Sequence, residues 1–226
     1  MPETNYKLEL HCHTAESSTC GRVPADETVQ LYKDAGYDAI MITDHLSAML
    51  DGIAGLSTWD EKVDYHLNGY KLARAKGEEI GVKVYQGAEI RFPGSCNDYL
   101  LFGMTEEILR TNPYIYNTTP AEFKAFADAN GILIVQAHPF RENCTPAAAE
   151  NLHGMEIYNG HDGHDSRNDL AKEYAEKHGL IPTAGSDCHY YHAVGTASVN
   201  TSSLPADMEQ LIAMLKSGNY TTKVER

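Results

Sequence analysis

Residues 8–22 read LELHCHTAESSTCGR, an apolar run closed by His11, Cys12 and His13. Alternate residues of a strand share a face, so the two imidazoles point the same way at the end of the first strand. The pattern then repeats along the chain. Apolar runs YKLELH, YDAIMITDH, VKVYQGAEI, DYLLFGM, GILIVQAHPF, GMEIYNG and LIPTAGSDCH alternate with helical segments such as PADETVQLYKDAG, VDYHLNGYKLARAKGEEIG, PAEFKAFADANG, SRNDLAKEYAEKHG and PADMEQLIAMLKSG. Alternation of this kind predicts β/α units and a mostly parallel sheet. Several helical segments open on Pro beside acidic residues and end in Gly, as helix termini prefer. Seven strands with intervening helices predict a closed or nearly closed β/α barrel, and the length of 226 residues suits one domain over residues 1–226.

Polar residues collect where the apolar runs end: His11 and His13, then Asp44 and His45, Glu89, His138, and finally Asp187 and His189. In a β/α barrel every strand carboxyl end opens on one face, so residues spread over most of the chain converge there. Imidazole nitrogens and carboxylate oxygens are ligands for Zn, Mn or Fe, and a carboxylate such as Glu89 can bridge two ions. So many donors predict two or three divalent ions. EIYNGHDGHDSRND follows the sixth strand and brings Asn159, His161, Asp162 and His164 to the same face; His161 is the first choice for a proton donor. His66, His153 and His178 are read as solvated surface, His192 is unassigned, and the stretch from Leu46 to Asp60, with Trp59, reads as a long loop overhanging the site.

Composition narrows the partners. With 18 Lys and Arg against 32 Asp and Glu, the formal charge of -14 argues against a nonspecific grip on nucleic acid or an anionic membrane. No apolar stretch reaches the length of a membrane span. The five cysteines include no C-x-x-C pair, which fits a reducing cytoplasm. No G-x-G-x-x-G or Walker loop follows the first strand, removing the obvious nucleotide-binding folds.

In LHCHT, MITDHLS, QGAEI, VQAHPF and AGSDCH, taken in this order, the chain resembles the PHP (polymerase and histidinol phosphatase) superfamily. The resemblance implies a distorted, TIM-like barrel of seven β/α units with up to three divalent ions that hydrolyse phosphate esters. One ion would take His11, His13, Glu89 and Asp187. Glu89 would bridge to a second that also takes His138, and a third would take His45 and His189, with Asp44 orienting them. Two positions depart from the family pattern. Where a further ligand of the third ion is expected, the chain offers Glu16, Ser18 or Cys20; where a second-ion histidine is expected, it offers Asp98.

The expected chemistry is attack on phosphorus of a small phosphorylated metabolite by water activated on the ions, with Arg141 and Arg22 as candidates for the phosphate oxygens. Glu89, Asp187, His161 and Arg141 are the expected catalytic set. Three rivals remain: an amidohydrolase-like C–N hydrolase, opposed by the lack of a lysine at a suitable strand end; a non-enzymatic metal-holding regulatory module; and a nuclease, opposed by the charge.

Overall fold

The computed structural model describes residues 5–225. Its first half runs β1 (Tyr6–Cys12), α1 (Ala25–Asp34), β2 (Ala39–Ile42), β3 (His45–Leu46), α2 (Trp59–Ile80), β4 (Lys83–Arg91), β5 (Asp98–Phe102), α3 (Glu106–Thr111) and α4 (Pro120–Asn130). The second half runs β6 (Leu133–Gln136), β7 (Gly154–Asn159), α5 (Asn168–His178), β8 (Ile181–Gly185), β9 (Ala197–Thr201), α6 (Met208–Ser217) and β10 (Thr221–Val224). Every expected apolar run contributes a strand, and all five expected segments form helices; α3, β9 and β10 are additions.

The sheet order is β10-β9-β1-β2-β4-β5-β6-β7-β8, with β3 paired to β4. Closure comes at the far edge, where Cys12 bridges Cys188 in parallel and the His13 amide donates to the Cys188 carbonyl at 3.1 Å. The free edge of β1 is thus divided. Its amino-terminal half takes antiparallel β9, while its carboxyl end meets the chain just past β8. The result is the expected distorted, TIM-like barrel, nearly closed, with Leu8, Met41, Leu100, Phe102 and Val135 filling the interior and Leu211 and Leu215 of α6 packed on that cluster.

Several features differ from the sequence expectation. β5 runs antiparallel to both β4 and β6, because only residues 92–97 separate it from β4, and a parallel crossover needs a dozen or more. This reversal places Asp98, the first residue of β5, opposite Arg91 at the carboxyl end of β4, on the face where the other strands finish. The second difference lies in Leu46–Asp60. Instead of overhanging the site, this stretch forms a short 3-10 turn, and Trp59 opens α2 behind a Thr58/Glu61 capping box. Trp59 is buried, with its indole N–H donating to the Leu109 carbonyl at 2.6 Å. His66 is likewise buried rather than solvated, sharing the inner face of α2 with Val63 and Leu67. His178 is exposed as expected, and His153 is half-buried against Asp128 at 2.8 Å.

A bulge aims the first histidine. The pairing of β1 with β2 shifts between Glu9 and Cys12, so three residues of β1 oppose two of β2. Before the bulge Leu8 and Leu10 point into the barrel; after it Cys12 points outward among Tyr32 and Ile42. His11 and His13 therefore face inward together.

Candidate metal centre

Seven residues from five strand ends meet at one place. His11 Nε2 lies 3.4 Å from Glu89 and 3.3 Å from Asp187, while His13 Nε2 lies 3.4 Å from Glu89 and 3.5 Å from Asp187. His45 Nδ1 is 2.8 Å and His138 Nε2 3.1 Å from opposite oxygens of Glu89. His189 completes the group, its ring 4.3 Å from that of His13. Donor atoms cluster within 4.8 Å of one another in four overlapping sets: His13, His45 and His189; His11, His13 and Glu89; His11, His138 and Asp187; His45, Glu89 and Asp98.

Proton positions explain why such a cluster suits cations. His11 Nδ1 sits 2.9 Å from Glu156, which holds the proton on that nitrogen. His13 Nδ1 is 3.2 Å from Ser18 Oγ, whose own proton goes to Asp44 at 2.7 Å, so His13 must donate there. His189 Nδ1 donates to the Asp187 carbonyl at 3.0 Å. In the neutral form of all three rings, the one that binds a metal, the lone pair is left on Nε2. His11 Nε2 and His13 Nε2 then stand 3.2 Å apart with carboxylate oxygens around them, an arrangement of electron-rich atoms that a divalent cation relieves. Outer partners that orient a ligating imidazole in this way are usual around a bound metal. The donor set therefore fits divalent ions: His11, His13, Glu89 and Asp187 would hold one, Glu89 and His138 another, and His45 and His189 with His13 beside them a third.

Without ions, protons taken up by the imidazoles balance the buried carboxylates. Burial disfavours the charge of Glu89, yet His45 and His11 hold its carboxyl well below the usual range. Burial likewise opposes the imidazolium of His45, but Glu89 and Cys20 outweigh it and raise the ring to about 10. Asp187 is depressed by His11 and its neighbours despite burial. The backbone shares in the arrangement: His138 and Asp187 both have positive φ, 29° and 50°. Left-handed backbone at non-glycine residues costs about 1–3 kcal/mol each and persists where the surroundings enforce it.

Three further groups support the cluster. Glu156 on β7 accepts from His11 Nδ1, the His138 amide and Asn159 Nδ2, all at 2.9 Å. Glu9 accepts from the His11 amide at 2.8 Å, the Ser186 amide at 2.9 Å and Tyr32 Oη at 2.9 Å, tying β1, α1 and the end of β8 together. Arg91 grips Asp98 through two bonds of 2.6 Å. Charged residues inside apolar runs carry no periodic signal, so Glu9 and Glu156 are visible only once the strands are assembled.

A cavity of ≈ 570 Å³ opens over the cluster, within the range of small-molecule sites. Arg141 and Arg91 line one side, and His161, Asp162 and His164 line another. Arg141 also reaches Asp98 at 3.4 Å. Arg22 is exposed and lies outside this lining. Of the alternatives between residues 16 and 20, Glu16 turns away to cap Ala25, Ser18 orients His13, and Cys20 Sγ sits 3.1 Å from His189 Nε2.

A PHP-associated family model matches residues 165–220, which include Asp187 and His189. In the solved structures, a two-domain protein from Bacteroides vulgatus containing a predicted PHP-like metal-dependent phosphoesterase superposes with a TM-score of 0.65 and 18% identity, over 98% of this chain and 65% of that one. The chain has the fold of that PHP-like phosphoesterase, and its family match covers the carboxyl-terminal quarter. Other structures share this fold: PsfC from Pseudomonas syringae, with a TM-score of 0.68 and 17% identity over 93% of this chain and 88% of that one, and endonuclease Q bound to a 27-mer duplex with an abasic lesion at the active site, with a TM-score of 0.61 and 15% identity over 98% of this chain and 58% of that one. No curated protein sequence matches significantly. Among the described residues no helix is long and apolar enough to cross a membrane.

Proposed function

We propose that this chain is a PHP-type, metal-dependent phosphoesterase acting on a small phosphorylated molecule. The observation that carries the reading is the meeting of five imidazoles, Glu89 and Asp187 beneath one cavity whose wall presents Arg91 and Arg141. Divalent ions held by such a cluster lower the pKa of water to about 7 and offset charge developing on a transferring phosphoryl group. Mn, Fe and Zn all suit the donors.

The chain's own residues do the rest. Glu89 presents its two oxygens to different imidazoles and so positions both sides of the cluster; Asp187 gathers His11, His13 and His189 on Oδ1 and turns Oδ2 toward His138. Asp98 offsets only part of the charge of Arg91 and Arg141, leaving guanidinium N–H groups for phosphate oxygens. His161 accepts from the Gly163 amide at Nδ1, at 2.8 Å, and therefore carries its proton on Nε2. Burial lowers the pKa of this ring, opposed by Asp187, and its Nε2–H is the proposed proton donor to the leaving group.

The net charge of -14 favours a short substrate over long nucleic acid. C–N hydrolysis is disfavoured because no lysine lines the cavity among the described residues, and Glu89, its two oxygens toward His45 and His138, would be the bridging ligand. Metal-stripped protein reloaded with Mn, Fe(II) or Zn should release p-nitrophenol from its mono- or bis-phosphate ester, and Glu89→Gln should abolish release. Bound metal without turnover of either ester would sink the reading, and preference for the bis-ester would move it toward a diester substrate.

A further inference from the structure

The loop after β7 contains a histidine whose proton can be located by following hydrogen bonds from the barrel outward. Asn159 Nδ2 lies 2.9 Å from Glu156 Oε2 and 3.1 Å from Asp187 Oδ2. Both carboxylates are acceptors, so the amide nitrogen faces them and Asn159 Oδ1 accepts from Ser166 Oγ and the His161 amide, each at 3.1 Å. Ser166 has thereby committed its single proton. Its oxygen must accept from His164 Nδ1, 3.1 Å away, and His164 carries its proton there.

In the neutral ring His164 Nε2 is then a bare lone pair. It is buried, has no hydrogen-bond partner among the described residues, and stands 3.9 Å from Asp187 Oδ2. A lone pair facing a carboxylate oxygen is repulsive unless a cation lies between them. Two donors each about 2.1 Å from one ion are separated by roughly 3.0–4.2 Å, depending on the angle between them, so the spacing suits a shared ion. The His164 ring also stands edge-on to that of His138, 5.8 Å away.

We propose that His164 is a metal ligand, completing with His138 and Asp187 the coordination of the ion on that side of the centre. This rests on the metal-centre reading above. The strand-end alternative, Asp98, has both oxygens taken by Arg91 and lies 3.9 Å from His138. The assignment gives the loop a second role. His161 stacks on His164 with the rings 4.6 Å apart and nearly parallel, so an ion on His164 fixes the rim of the cavity where substrate enters.

The test is elemental analysis of the metal-loaded protein, with chelator extraction followed over time, for wild type, His164→Ala, His161→Ala and Ser166→Ala. His164→Ala should lose one ion per chain, or release one ion at least tenfold more readily. Ser166→Ala should weaken the same ion less, because it frees the tautomer but keeps the ring, and His161→Ala should keep the full count. The visible spectrum of the cobalt-loaded protein should change in His164→Ala. An ion count, extraction profile and cobalt spectrum unchanged in His164→Ala would overturn the assignment, and should that variant fail to fold, wild-type behaviour of Ser166→Ala would do so. Wild-type protein that binds no ion would instead defeat the metal-centre reading itself.

Discussion

His11 Nδ1 lies 2.9 Å from Glu156 Oε1, and solvent reaches neither side chain. The pair joins β1 to β7 across the barrel, and the same carboxylate accepts from the His138 amide, where the backbone has positive φ. One acid thus sets the tautomer of one candidate ligand and the strained backbone of another. Glu156→Ala should weaken ion binding by about 10–100-fold in a chelator competition, the usual cost of losing an outer-shell partner. Glu156→Gln, which can keep an acceptor on His11, should fall between it and wild type; wild-type affinity in both variants would remove Glu156 from the site.

Gly185, the last residue of β8, touches the same imidazole. A Cβ there would lie 2.3 Å from His11 Cβ and 3.0 Å from Glu156 Oε1. No rotamer relieves a clash with a Cβ, so either β1 or β8 must shift. Gly185→Ala should cost on the order of 1–3 kcal/mol, read as a lower Tm, and should also reduce bound metal. A variant with native Tm and a full ion count would show that the barrel yields more easily here than its close contacts indicate.

How much of this is legible in the sequence depends on what kind of signal each residue leaves. His11, His13, His45, Glu89, His138, Asp187 and His189 end apolar runs, and strand topology alone brings them together. Other features left readable signs: the six residues between Arg91 and Asp98 already exclude a parallel crossover, and Thr58 with Glu61 marks the start of α2 at Trp59. The spacing of His66 from Val63 and Leu67 likewise puts it on the buried face of that helix. Glu9, Glu156 and His164 are different. Their roles depend on a bulge, a barrel closure and a chain of proton positions, none of which has a one-dimensional pattern.

Glu9 makes stability depend on pH. Burial raises its carboxyl to about 7, against an ordinary value near 4.5, with hydrogen bonds from Ser186, His11 and Tyr32 opposing the rise. Below about pH 4.5 the group is protonated in both folded and unfolded chains and the term vanishes. Between about 4.5 and 7 the unfolded chain loses its proton while the folded one keeps it, so stability falls as pH rises, reaching a full penalty of roughly 3 kcal/mol above 7. Glu9→Gln retains an acceptor for the two amides and cannot ionise. Denaturant titrations of metal-free protein should show that wild type loses stability relative to Glu9→Gln across this window; parallel curves would show that Glu9 ionises freely in the fold.

Cys20 bears on which ions the third cluster prefers. Burial raises its thiol, but His189 and His45 more than offset that and bring it down to about 6. The sulfur is therefore mostly thiolate at pH 7, 3.1 Å from His189 Nε2. Thiolates are soft donors that favour Zn or Fe over Mn. Alkylation of Cys20 in metal-free protein, located by peptide mass, should rise with pH through a midpoint near 6 and be suppressed by Zn. Cys20→Ser should lower Zn binding, whereas Cys20→Asp should restore binding with a preference shifted toward Mn. If Zn leaves the alkylation rate unchanged, the sulfur is outside the coordination sphere, and metal preference at His45 and His189 is set by imidazoles and carboxylates alone.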